Sequence, residues 1–394
     1  MVFSPFLFIF ISMKFSFKND YAEGCHPRIL EALSATNLVQ QNGYGLDDYC
    51  LNAEHLIQKK INNPRAKVHF VSGGTQANLI VISAFLRPHE SVISPATGHI
   101  FTNESGAIEA TGHKVHAVDT EDGKIRPEDI RKIIDVHQNK PHQVKQKLVY
   151  ISNSTEVGTI YSKKELIDLY QFCQENNLFL FVDGARLGHA LMAETNDLTL
   201  EDFGKYTDAF YWGGTKNGAL IGEAIVINNE DLQSEFGFHL KQKGAMLAKG
   251  RLLGIQFQEL LKDDLYFDLA NLANQKAMKI KKSFQEIGCH FLSETFTNQI
   301  FPILNNSQIE KLSENFDFYV WKKIDEEKSA VRIITSWATS DEIVEKFIAE
   351  ISSLRKKKKK FRLKLLRRNV LLIKDLLIVN LQIYLQFSAK LQYY

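Results

Sequence analysis

The chain has 394 residues, 44% of them hydrophobic and 24% charged, which excludes wholesale disorder and allows two or three domains. The net charge of +2 averages two unlike parts: from Arg355 onward there are 12 Lys/Arg and one acidic residue, leaving 36 basic and 45 acidic residues before it. A mildly acidic body disfavours nucleic-acid binding. Cys25, Cys50, Cys173 and Cys289 are scattered with no CxxC pair, as in reduced cytoplasmic proteins rather than disulfide scaffolds or zinc sites.

Residues 1–12, "MVFSPFLFIFIS", are apolar but lack a basic flank and are too short to span a bilayer. They read as an extension ahead of a start at Met13 rather than as a signal peptide. Residues 13–58 are expected to form an arm packed on a large domain covering 59–266. There, "KVHFVSGG" is a strand and turn, and "TQANLIVISAFL" continues with helical spacing. "SVISPAT" and "HKVHAVD" are short strands with "ESGAIEATG" helical between them. "KLVYISN", "LFLFVDGA" and "DAFYWGG" are further strands, with helices such as "SKKELIDLYQFCQENN" intervening. This alternation predicts an α/β fold with a mainly parallel central sheet and right-handed crossovers.

Residues 267–354 begin with the helical "LANLANQKAMKIKKSFQEIG", then "NQIFPIL", "FYVWKKI", "AVRIITS" and a last helix, as in a smaller α+β domain. The basic tail, 355–394, is placed outside the fold. Its apolar run is broken by Lys374, Asp375 and Asn380, so it is a poor membrane span. It reads as a read-through extension; contact with an anionic membrane surface is expected only if the tail is native.

In open α/β sheets ligands bind at the carboxyl ends of strands. Three polar signatures fall at such ends. "SGGTQAN" offers backbone amides and the Thr75 hydroxyl to an anion at a helix N-terminus, with Thr75 as an ordinary N-cap the alternative. Asp183 closes an apolar strand, where a carboxylate needs a cationic partner; Arg186 could supply a purely structural one. Lys216 sits among glycines, where burial would lower its pKa toward a usable amine for Schiff-base chemistry. An anion cradle, a carboxylate for a ring nitrogen and a lysine 33 residues later together match what pyridoxal phosphate needs. No metal is assigned: His113 and His116 alternate to opposite faces of a strand, and Asp47–Asp48 reads as a solvated turn.

The ordered stretches "SGGTQAN", "TGHIFTNESGA", "DGARLGHA" and "GGTKNGAL" resemble the pyridoxal-phosphate enzymes of fold type I, and within them the threonine aldolase/β-eliminating lyase family. "NDYAEGCHPRILEAL" and "VRIITSWATSDEIVEKFI" extend the likeness over roughly 13–354. The resemblance implies aldol cleavage of a β-hydroxy-α-amino acid, L-threonine or L-allo-threonine giving glycine and acetaldehyde. β-Elimination, transamination or racemisation of an amino acid is the alternative on the same site, and a non-catalytic binding protein a further one. It also implies roles by position. Lys216 would carry the cofactor and Asp183 its ring nitrogen. Gly73, Gly74, Thr75 and Thr215 would hold it, and His99 would stack on the ring. Arg332 and Asn19 would receive the substrate carboxylate, and Arg186 would lie beside the cofactor ring and share that job. Tyr44 and a basic residue such as Lys243 would reach a neighbouring subunit's site in a homodimer or homotetramer. Where family members often carry a second histidine, this chain has Thr155 followed by Glu156, so Glu156, His99 or water could take the substrate hydroxyl proton.

Overall fold

A computed structural model describes residues 14–354; the readings of residues 1–12 and 355–394 lie outside them. Seven strands make the main sheet: β2 (Lys67–Val71), β3 (Glu90–Pro95), β4 (Val115–Val118), β5 (Lys145–Ser152), β6 (Phe179–Asp183), β7 (Ala209–Gly213) and β8 (Glu223–Ile227). Their order across the sheet is β2-β8-β7-β6-β5-β3-β4. Only β8 runs against its neighbours. Six strands therefore end at one edge, and the reversed β8 begins there.

Near-continuous apolar runs suit strands covered on both faces. Alternation in β5 sends Val149 and Ile151 into one buried layer and Leu148 and Tyr150 into the other. Helices flank both layers, and local sequence sets their ends. The helix Lys163–Glu175 starts at a capping box in which the Ser162 side chain accepts from the Glu165 amide and Glu165 answers to the Ser162 amide.

A second core gathers Ile280, Phe284, Ile300, Val331 and Phe347. Around it lie β9 (Gln299–Ile300), β10 (Ile303–Asn305), β12 (Tyr319–Lys323) and β13 (Lys328–Ile334), in antiparallel pairs with β13. The N-terminal segment joins this core: β1 (Phe15–Ser16) pairs with β11 (Phe316–Asp317), and Phe17 is fully buried there. Residues 341–354 form the last described helix. Among the described residues no helix is long and apolar enough to cross a membrane.

Two local readings are corrected. "ESGAIEATG" forms only a short 3-10 turn, Glu109–Thr111, because Ser105, Gly106 and Gly112 take φ of 53°, 74° and 92°, which break a right-handed helix. Asp47 is no solvated turn: it is fully buried and caps the helix Asp48–Lys60, accepting from the Cys50 amide at 2.8 Å. His113 and His116 bond instead to β3, at the Glu90 carbonyl and the Ser91 hydroxyl.

Candidate active site

The three sequence signatures meet at the common strand edge. They line one cavity of about 290 Å³ together with Tyr21, His99, Ser152, Ser154, Glu156, Arg186, Tyr211 and Glu223. Register makes this so: Asp183 pairs with Ser152 at the ends of β6 and β5, and Glu223 at the start of β8 faces both Gly213 and Val71.

Asp183 is 4% exposed and accepts four hydrogen bonds. Tyr211 and Tyr150 donate their hydroxyls at 2.5 and 2.6 Å, the Ala185 amide donates at 3.0 Å, and Asn78 at 3.2 Å. Burial raises its pKa, but His99 and these donors outweigh burial and hold the carboxyl below its ordinary value. It is an anion held ready.

Lys216 is half-buried at the turn after β7. Burial first, then the Arg186 charge, push its amine below an ordinary lysine, against the attraction of Asp20, Asp183 and Glu223. Glycines make the turn possible. Gly218 has φ +96°, and a Cβ at Gly213 would meet the Ala185 carbonyl at 2.5 Å. The Thr215 hydroxyl accepts from the Gly222 amide at 3.0 Å, and Glu223 accepts from the Gly214 amide at 2.8 Å. Burial pushes the Glu223 carboxyl up to about 7.

The helix Gly74–Phe85 starts at Gly73 with no side-chain cap, so Thr75 is not the cap. Its first amides have no partner within the helix and are left for an anion. Gly74 cannot be larger, since a Cβ there would lie 2.8 Å from the Tyr211 hydroxyl. An uncapped helix start, an amine of lowered pKa and a buried carboxylate anion fit the phosphate, aldehyde and ring nitrogen of pyridoxal phosphate.

Arg186 does not pair with Asp183. Its Nε and Nη2 grip Asp20 at 2.7 and 3.0 Å, and Asn298 supports Asp20 at 2.8 Å. Asp20 is held far below the carboxylate range: burial opposes its charge, but Arg186 and Lys216 prevail. Its neighbour Asn19 turns away, accepting from the Tyr21 amide at 3.1 Å. Arg332 lies outside the cavity lining, stacked on Tyr319 and Trp321, with its Nε unpartnered. Burial and the nearby Arg186 bring Arg332 down to about 10. Tyr44 and Lys243 are also away from this cavity; Tyr44 lies under Lys241 and lines a separate groove.

The Beta-eliminating lyase family profile matches residues 20–307. The chain belongs to that family. Members of this lyase family depend on pyridoxal phosphate, and the chain is a pyridoxal-phosphate-dependent lyase of fold type I. It is 31% identical to the low specificity L-threonine aldolase of Pseudomonas aeruginosa over 85% of this chain and 96% of the relative. A threonine aldolase from Leishmania major superimposes with a TM-score of 0.85 at 45% identity, covering 86% of this chain and 99% of that one. Aspartate aminotransferase from Thermus thermophilus shares the fold alone, with a TM-score of 0.63 at 15% identity over 86% of this chain and 91% of its own.

Several partners in the candidate site escaped the sequence reading. Glu104, whose side chain is fully buried, accepts from His99 Nδ1 at 2.9 Å and from Asn78 at 2.8 Å. Asn78 thereby links Glu104 to Asp183. Glu223 carried one visible signal, a lone charge opening the otherwise apolar strand "EAIVI".

Proposed function

We propose that this lyase cleaves the Cα–Cβ bond of a β-hydroxy-α-amino acid, L-threonine or L-allo-threonine, to glycine and acetaldehyde. The convergence of Lys216, Asp183 and the uncapped Gly73–Thr75 turn on one cavity carries the reading. The threonine aldolases among its relatives direct it toward aldol cleavage.

When bound, pyridoxal phosphate supplies an electron sink beside the α-carbon. The side chains do the rest. Lys216 offers the attacking amine, and Asp183 balances a protonated ring nitrogen. Gly73, Gly74 and Thr75, with Thr215 closing the adjoining turn, cradle the phosphate. His99, which lines the cavity, would cover the ring face. Arg332, outside the cavity lining but close enough to Arg186 to feel its charge, would receive the substrate carboxylate beside it, for which a guanidinium fork is well shaped. Asp20 holds Arg186 in place, and Asn19 shapes the turn that delivers Asp20.

Glu104 acts through His99 by fixing the tautomer with hydrogen on Nδ1. Glu104→Gln is expected to lower kcat/KM for threonine about 100-fold, the scale of one positioned acid–base group. Nitrogen NMR of the ring should show mixed tautomers, whereas an unchanged tautomer would remove Glu104 from this role.

We place the protein in the cytoplasm as a homodimer or homotetramer. Leu38, Phe238 and Leu46 are large apolar side chains left exposed, as a second copy could cover them. Tyr44 and Lys243 would then serve the neighbour's site. Incubating the cofactor-loaded protein with L-threonine tests the reading. Glycine and acetaldehyde in equal amounts support it; ammonia with a keto acid means elimination, and no turnover means a binding protein.

A further inference from the structure

We infer that Glu156 is the base that takes the proton from the substrate's β-hydroxyl. The inference rests on the aldol-cleavage reading above. Glu156 lines the same cavity as Lys216 and Asp183. One of its oxygens, Oε1, is fixed by the Ser152 hydroxyl at 2.7 Å and by the His99 amide at 3.1 Å. The other, Oε2, is buried and has no hydrogen-bond partner. A buried acceptor without a partner is costly, and a hydroxyl presented to it would relieve that cost. Two donors on one oxygen fix the side chain and leave the second oxygen as the reactive one.

Of the competing groups, Thr155 is committed elsewhere and His99 in part. Thr155 shares its hydroxyl with Thr159 at 2.7 Å and accepts from the Thr159 amide at 3.1 Å. His99 has Nδ1 bound to Glu104, and its Nε2 is the remaining competitor, which would keep cleavage at the wild-type rate in Glu156→Gln. Its backbone amide, by contrast, is one of the groups that hold Glu156.

Charge surroundings favour a base of useful strength. Burial raises the Glu156 pKa above that of an ordinary carboxyl, Asp183 raises it further, and the Ser152 hydrogen bond and His99 pull against them. Arg186, Tyr150 and Tyr161 are the other titratable groups that feel its charge. A carboxylate of raised pKa binds a proton more strongly.

The step balances simply. The hydroxyl proton passes to Oε2, the carbon–oxygen bond becomes a carbonyl, and the Cα–Cβ bond breaks with its electron pair left on the α-carbon. Glycine is completed when water protonates that carbon and Glu156 returns its proton to solvent.

The test compares two reactions of the loaded enzyme: aldehyde release from L-threonine, and exchange of the glycine α-hydrogen with deuterated water, which involves no hydroxyl. Glu156→Gln is expected to slow aldehyde release about 100-fold or more while exchange continues at the wild-type rate. Wild type should show an acidic limb in cleavage, as protonation of Glu156 removes the base, and this limb should be absent from exchange. That comparison holds even where the variant fails to fold. In the cofactor-free protein, infrared titration should lose one carboxyl of raised pKa in the variant. Cleavage at the wild-type rate in Glu156→Gln, equal loss of both reactions, or one acidic limb shared by both would overturn the assignment. Exchange without any aldehyde from wild type would instead overturn the cleavage reading itself.

Discussion

Lys216→Ala is expected to abolish turnover, with a loss on the order of 10⁴-fold or more, because among the described residues no other amine lines the cavity to replace a covalent nucleophile. Arg186, the other long cation lining that cavity, is gripped by Asp20 and stays protonated. The variant should also lose the violet absorbance of the loaded protein that borohydride bleaches in wild type. Retention of that absorbance would move the cofactor lysine elsewhere. The lowered pKa of Lys216 sets a direction for cofactor uptake. Capture of an aldehyde requires the neutral amine, so uptake by the empty protein should rise with pH and level off below the range where an ordinary lysine titrates. A plateau delayed to the ordinary lysine range would contradict the effect of burial and Arg186.

Asp183→Asn should have the second largest effect. An amide cannot balance a protonated ring nitrogen, and loss of one preorganised electrostatic partner costs about 10²–10³ in kcat. The substitution also disturbs the resting protein. Asp183 accepts from two tyrosine hydroxyls, one backbone amide and Asn78, whereas asparagine has one acceptor oxygen and an NH₂ that is itself a donor. At least one buried donor loses its acceptor, at a cost of about 1–3 kcal/mol. Thermal unfolding of the cofactor-free variant measures that part separately from turnover. An unchanged melting temperature together with near-normal kcat would mean that Asp183 neither holds the network nor faces the ring.

Lys216, Asp183 and the Gly73–Thr75 turn were legible because each lies at the end of its own apolar strand, and local pattern marks strand ends. The rest depends on register and distant contacts. Tyr150 and Tyr211 sit within apolar runs and read as core; pairing of β5, β6 and β7 alone brings both hydroxyls to Asp183. Glu223 reaches the site because β8 runs backward, a direction that no stretch of sequence announces. Arg186 was read as the neighbour of Asp183, yet its partner is Asp20, 166 residues earlier. Glu104 was assigned to a helix that did not form, which concealed its contact with His99.

The N-terminal segment has a bearing on synthesis. Phe15 pairs with Phe316, and the Phe17 carbonyl accepts from the Ile334 amide at 2.9 Å, while Asp20 secures Arg186 on the main sheet. The N-terminal strand therefore meets its partners, around Phe316 and Ile334, only once both ends of the described chain have left the ribosome. A nascent polypeptide can complete the main sheet early, but contacts of such sequence separation close late. The first residues of the described chain are thus expected to dock last, onto strands made near the end of translation.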